Sequence, residues 1–233
     1  MPNALEDYKD LMTVTFNPKC KKCPRLVAYL NDNRAEFPNY HLAPVAAFGD
    51  ECAKFLIVGL APGFHGANAT GRPFTGDYSG VLLYQTLYDF GFSNQPESIA
   101  GDDLRLKNCL ITNAVKCVPP ANKPTTAEVR ECNPYLKNEL GLMPKGSVIL
   151  ALGRVAHDAI RRAFNLKAKD FPFSHGAVAD MEERWLVASY HCSRYNTQTR
   201  RLTETMFRDV FDTVRQLLSQ EQSSKRARRK GVV

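Results

Sequence analysis

The stretch F-L-I-V-G-L-A-P-G-F-H-G-A-N-A-T-G-R-P-F-T-G-D-Y-S-G, Phe55 to Gly80, opens on an apolar run and passes into a loop. From Gly59 onward it holds six glycines and two prolines in twenty-two residues. Phe55-Leu56-Ile57-Val58 is short, apolar and stopped by glycine, the signature of a strand buried on both faces. After the loop, Val81-Leu82-Leu83-Tyr84-Gln85-Thr86-Leu87-Tyr88 reads as a helix. Strand, long glycine-rich loop and helix together indicate an α/β unit whose loop lies beyond a strand's carboxyl end.

The same pattern recurs along the chain. Cys109–Val115, Ser147–Leu152 and Trp185–Ser189 are three more short apolar runs bounded by turn signals. Helical stretches lie between and after them, at Thr125–Leu142, Arg154–Phe164 and Glu204–Leu218. Thr125-Thr126-Ala127-Glu128 has the spacing of a helix start, with Thr125 as cap and Glu128 three residues on. Met206, Phe207, Val210, Phe211, Val214 and Leu217–Leu218 form one apolar stripe, expected to face the core. Strands alternating with helices imply a three-layer α/β/α fold around a central four-stranded, mainly parallel sheet. No repeat or internal boundary appears, so residues 1–220 read as a single domain followed by a basic, disordered tail, 221–233.

The 233 residues suffice to bury a substantial core. No apolar run approaches the roughly 20 residues of a membrane span, and the acidic N-terminus does not read as a secretory signal. The expected location is cytoplasmic and the expected state a monomer. Of the formal charge of +7, five units sit in Lys225-Arg226-Ala227-Arg228-Arg229-Lys230, leaving +2 for the body. Such a tail attracts polyanions, nucleic acid among them, or serves only to solubilise.

Ligands of doubly wound sheets bind beyond the strands' carboxyl ends. Three loops meet there: the one after Gly59, the one near Asn113 and the one near Tyr190. The first is no nucleotide cradle, since it lacks both G-x-x-x-x-G-K-[ST] and G-x-G-x-x-G. It does offer close backbone approach at Leu60, Ala61 and Gly63, an aromatic face in Phe74 and an acid in Asp77. Asn113 ends a strand with one donor and one acceptor, enough to read the edge of a base. His191, Ser193 and Arg194 follow the last strand. The seven cysteines are odd in number and, in a reducing compartment, argue against a disulfide framework. Cys20-Lys-Lys-Cys23 is a C-x2-C pair, and Cys117 and Cys132 follow downstream, separated by fourteen residues. Four thiolates suit zinc or an iron–sulfur cluster, and spacing does not choose between them. Cys52, Cys109 and Cys192 read as structural.

Taken together, the loop G-L-A-P-G…G-R-P-F-T-G-D-Y-S-G, the segment I-T-N-A-V-K-C-V-P-P and the segment S-Y-H-C-S-R-Y-N-T resemble the motifs of the uracil-DNA glycosylase superfamily. The likeness spans roughly Cys20 to Leu202. Leu60 stands where family-four enzymes carry an acid, so the sequence looks like family five, the type-b iron–sulfur branch. The resemblance implies a [4Fe–4S] cluster on Cys20, Cys23, Cys117 and Cys132 with a structural role. It implies a monofunctional DNA repair hydrolase for base excision repair, acting on double- or single-stranded DNA. Such an enzyme excises uracil and other deaminated bases such as hypoxanthine, leaving an abasic site. Expected catalytic residues are Asn113, His191 and Asp77. Leu60, Ala61, Gly63, Phe74, Asn113 and His191 would bind the base, and Ser193 and Arg194 the DNA. Cys192 replaces the usual proline of His-Pro-Ser, which implies either a less rigid hold on His191 and a slower enzyme or another contact that compensates. The alternatives are a damage-binding module of the same fold without catalysis and a small-molecule hydrolase, the latter disfavoured because no G-x-S-x-G elbow occurs.

Overall fold

The computed structural model describes residues 16–230, with side chains described for 16–220. Six strands form one sheet: β1 (Phe48–Gly49), β2 (Phe55–Gly59), β3 (Cys109–Asn113), β4 (Ser147–Leu152), β5 (Val178–Asp180) and β6 (Arg184–Ser189), in the order β1-β3-β2-β4-β6-β5. The four central strands are parallel, as expected, and the two short outer ones pair antiparallel. Neither outer strand was anticipated. At two and three residues they are too short to leave a periodic signal. β3 stops at Asn113 rather than Val115, so Cys117 lies well inside the following loop.

Alternate side chains on the central strands serve two cores. Leu56 and Val58 of β2, with Ile149 and Ala151 of β4, pack against α1 (Pro24–Asp32), α4 (Thr126–Leu142) and α5 (Arg154–Ala163) through Leu26, Leu30, Leu136, Leu140 and Ile160. Phe55, Ile57, Val148 and Leu150 pack on the opposite side against α3 (Tyr78–Asp89) and α7 (Glu204–Lys230). Phe207, Val210, Phe211 and Val214 are buried there, so the stripe on α7 faces the core. The helix backbone extends to Lys230, while the side chains of 221–230 and residues 231–233, where the basic tail falls, lie outside the described residues. Two short helices, α2 (Ala67–Thr70) and α6 (Arg194–Gln198), sit inside the loops at the sheet's carboxyl edge.

The register aligns that edge. Gly59 is level with Asn113, Val58 with Ala151, and Leu152 with Ser189. Two helix starts are fixed locally. Thr125 and Glu128 form the capping box anticipated for α4. Asp77 caps α3, its Oδ1 accepting from the Gly80 amide at 3.0 Å. Behind β3, Lys116 is 2 % exposed, and its Nζ lies 2.8 and 2.7 Å from the Glu139 carboxylate oxygens. Thr112 donates to the same carboxylate at 2.9 Å. A buried ion pair completed by a hydroxyl thus pins the chain between Asn113 and Cys117.

Candidate active site

The aligned edge opens into a cleft of about 870 Å³. All of the residues expected to bind a base line it: Leu60, Ala61, Gly63, Phe74, Asn113 and His191, joined by Asp77, Ser193 and Arg194. Three loops far apart in sequence have converged, as the strand-end rule requires.

Gly59 makes the convergence possible. A Cβ placed there would lie 2.4 Å from Asn113 Oδ1 and 2.6 Å from Phe74 Cζ. Only a bare Cα lets the amide and the ring close in on the same strand end. Phe74 itself takes a φ of 55°, a conformation costly for a bulky residue. Gly80 makes room for it, because a Cβ there would meet the Phe74 carbonyl oxygen at 1.9 Å. The ring then stacks on His191, with centroids 5.9 Å apart and planes 24° from parallel.

Burial lowers the His191 pKa from 6.5 to about 4, so the imidazole is neutral near pH 7. Its Nδ1 is sealed from solvent without a hydrogen-bond partner. A neutral imidazole still keeps one N–H donor. Two ties hold its loop. Asn196 Nδ2 donates to the His191 carbonyl at 2.8 Å, and the buried Cys192 thiol donates to the Ser79 carbonyl at 3.5 Å. The thiol contact joins the His191 loop to the first turn of α3, a tie that proline could not make. Cys192 therefore belongs to the support of the site, and the loop is held by contacts rather than by a fixed φ.

The two oxygens of the Asp77 carboxylate have different surroundings. Oδ1 caps α3, while Oδ2 faces the loop, where a Cβ on Gly66 or Gly63 would meet it at 2.8 or 3.4 Å. Burial pushes its pKa up, against the amides of Gly80 and Ser79 that pull it down. Asn113 is 4 % exposed, and among the described residues its carboxamide has no protein hydrogen-bond partner. Ser193 caps α6, accepting from the Asn196 amide, which accounts for it structurally. Arg194 lies over the Tyr78 ring at 5.4 Å, and Tyr195 beside it is 71 % exposed.

The mouth contains residues that the three-loop reading missed. Gly153, with φ at +93°, and Arg154 follow β4 directly, and the strand-end rule applied to that strand would have named them. Arg154 and Arg201 lie over the rings of Phe173 and Tyr190, at 5.3 and 4.7 Å. Asn122 and Lys123 form another side, with no sequence signal beyond their distance from Asn113.

Cys20, Cys23, Cys117 and Cys132 line one separate, mostly apolar cavity. All four are free thiols. Burial, and then the charge of Cys132, pushes Cys23 up to about 11, and burial with the same neighbour takes Cys117 to about 12. Thiols in such a setting ionise only with a compensating positive centre. The Lys116 amide donates to Cys132 Sγ at 3.3 Å, as amides do to thiolate ligands. The donor set thus fits a four-thiolate centre. Among the described residues no group of three or more His, Cys, Asp or Glu side chains closes to metal-holding distance, so the cavity supplies the donors rather than a finished coordination sphere.

Residues 46–215 match the model of the family described as the uracil DNA glycosylase superfamily. The chain belongs to that superfamily. It is 48 % identical over 204 residues to a type-5 uracil-DNA glycosylase of Thermus thermophilus, covering 85 % of this chain and 93 % of that protein. A type-5 enzyme of Pyrobaculum aerophilum is 40 % identical over 209 residues, covering 88 % and 90 %. A type-4 enzyme of Archaeoglobus fulgidus is 32 % identical over 199 residues, covering 82 % and 86 %. The likeness is thus greater to these type-5 members, the branch that Leu60 indicated.

Proposed function

We propose that this chain flips uracil, and other deaminated bases such as hypoxanthine, out of DNA and hydrolyses the N-glycosidic bond, leaving an abasic site. The observation that carries the reading is the neutral His191 stacked on Phe74 beside the unpartnered Asn113 carboxamide, at the base of a cleft with a cationic mouth. Extrusion exposes a bond that the duplex hides. Phe74 and the backbone from Leu60 to Gly63 receive the flat base, and Asn113 pairs its donor and acceptor with the base edge. As the bond breaks, positive charge grows on the sugar and negative charge on the base. The His191 N–H donor is aimed at the base carbonyl oxygen and stabilises that leaving anion. A neutral donor is already in place and needs no proton uptake. Asp77 orients the attacking water with Oδ2 while Oδ1 stays committed to the helix cap. The loop itself offers no acid between Gly59 and Gly63, so this duty passes to the carboxylate packed across it. Lack of an acid that discriminates among bases at Leu60 favours breadth of substrate. Ser193 and Arg194 brace the duplex where the nucleotide leaves.

Cys20, Cys23, Cys117 and Cys132 would hold a [4Fe–4S] cluster, which would supply a cross-link between the segment before α1, the loop after β3 and α4 itself rather than chemistry on the base. Incubation with duplexes carrying uracil or hypoxanthine, followed by abasic-site detection, tests the activity. Binding without abasic product would refute catalysis, and excision of uracil alone would refute the breadth. Iron, acid-labile sulfide and zinc assays on the purified protein test the cluster, and one zinc per chain without iron would refute it.

A further inference from the structure

Residues 120–122 form a single 3₁₀ turn with an unusual backbone. Ala121 has φ 53° and ψ 25°, and Asn122 follows with φ 55°. Two successive left-handed residues, neither of them glycine, are a disfavoured backbone, more so at Ala121 than at Asn122, since asparagine tolerates this region better. Backbone of this kind persists only where its surroundings hold it, and it gathers at binding sites.

The hold comes from a distance in sequence. Arg25, in the first turn of α1, donates through Nη2 to the Lys123 carbonyl at 3.2 Å. The same guanidinium grips Glu128 through Nε and Nη2, both at 2.7 Å. Glu128 in turn accepts from the Thr125 amide at 2.7 Å, closing the capping box of α4. One planar cation therefore ties the end of the turn to the start of the next helix. A lysine at this position could not make the fork.

The clasped segment is exposed and lines the cleft, with Lys123 among the cations at its mouth. The arginines there, Arg154, Arg194 and Arg201, each lie over an aromatic ring. Among the described residues the Lys123 ammonium has neither a ring nor an ion pair.

We propose that Ala121–Lys123 is a second DNA-contacting lip, in which Lys123 meets a backbone phosphate beside the extruded nucleotide and Arg25 is the positioning residue that holds the lip in place. The partner is the nucleic-acid strand of the glycosylase reading, on which the inference rests. Charge complementarity favours a phosphate, because an unpaired ammonium at a cationic mouth has no protein anion to meet.

Equilibrium binding to a duplex carrying a non-cleavable abasic-site analogue, titrated over a range of salt, tests it. Lys123→Ala should reduce the slope of log affinity against log salt by about 0.9, one phosphate contact. In single-turnover excision its half-saturating concentration should rise by a larger factor than its maximal rate falls. Arg25→Gln should lose part of the same slope, and should lose nothing further in a Lys123→Ala background. An unchanged slope in Lys123→Ala, or additive effects in the double variant, would overturn the proposal. Lower iron or zinc content in Arg25→Gln would overturn the positioning role and assign Arg25 to the cysteine site. Absence of excision by the unaltered protein would refute the glycosylase reading while leaving the salt slopes to be judged on their own.

Discussion

Replacing Gly59 by alanine tests how tightly the site is assembled. The backbone there is ordinary, so the added methyl meets no conformational penalty and acts through space alone. It would stand 2.4 Å from Asn113 Oδ1 and 2.6 Å from Phe74 Cζ, where real Cβ contacts essentially never fall below 3.0 Å. The amide must therefore retreat by at least 0.6 Å and the ring by at least 0.4 Å, and each by about twice that for an unstrained contact. Phe74 has little room, since its carbonyl lies against Gly80 and its ring against His191. Displacements approaching 1 Å cost on the order of 10²-fold in rate when reacting groups are misplaced. Single-turnover excision of uracil from a duplex should fall by about that factor. A thermal melt should show a smaller loss, of about 1–3 kcal/mol for overpacking. Gly141→Ala is the internal control, because this glycine lies in α4 away from the cleft and its methyl would meet nothing within 4 Å. It should remain near the unaltered rate. Equal rates for the two variants, or full activity in Gly59→Ala, would sink the argument.

Other perturbations separate the roles of individual groups. His191→Ala should slow excision by roughly 10²–10³-fold, as removal of one preorganised donor does. Because burial holds this histidine at about 4 against 6.5 unfolded, its contribution to stability is intact above 6.5 and is lost as pH falls towards 4. Urea titrations of His191→Gln should accordingly show a weaker acid loss over that window than the unaltered protein. Asp77→Asn keeps an oxygen for the Gly80 amide but loses the charge, so excision should drop by about 10²-fold with α3 retained by circular dichroism. The raised Asp77 pKa favours the protonated fold at low pH, and that contribution disappears as pH rises through the folded value, so the variant should be no less stable than the parent at pH 7. Full rates in both Asp77→Ala and Asn113→Ala would remove both from the mechanism. Lys116→Met leaves Glu139 buried without its cation and should cost about 3–5 kcal/mol in urea unfolding, largely recovered by adding Glu139→Leu.

The central strands, the long helices and the members of the cleft were legible in the chain because each has a local cause. Phe55–Val58 is apolar on both faces because the strand is covered on both, and Thr125 with Glu128 forms a capping box within four residues. The register that makes Gly59 level with Asn113 then follows from parallel pairing, which is why the strand-end rule gathered Phe74, Asn113 and His191 correctly. The edge strands β1 and β5 escaped because two or three residues carry no period. For Cys192 the sequence left open a loss of rigidity or a compensating contact, and the structure supplies the contact, a tie to Ser79 more than a hundred residues away. Arg25 and its grip on Lys123 and Glu128, across about a hundred residues of chain, had no sequence signal either. By itself the sequence determined which residue types stand at the sheet's carboxyl edge, since burial and capping act between near neighbours. The tertiary structure alone decided the neutral charge of His191, the burial of Asp77 and the clasp on the strained turn, because desolvation and hydrogen-bond partners are set by whatever distant segments pack around a group.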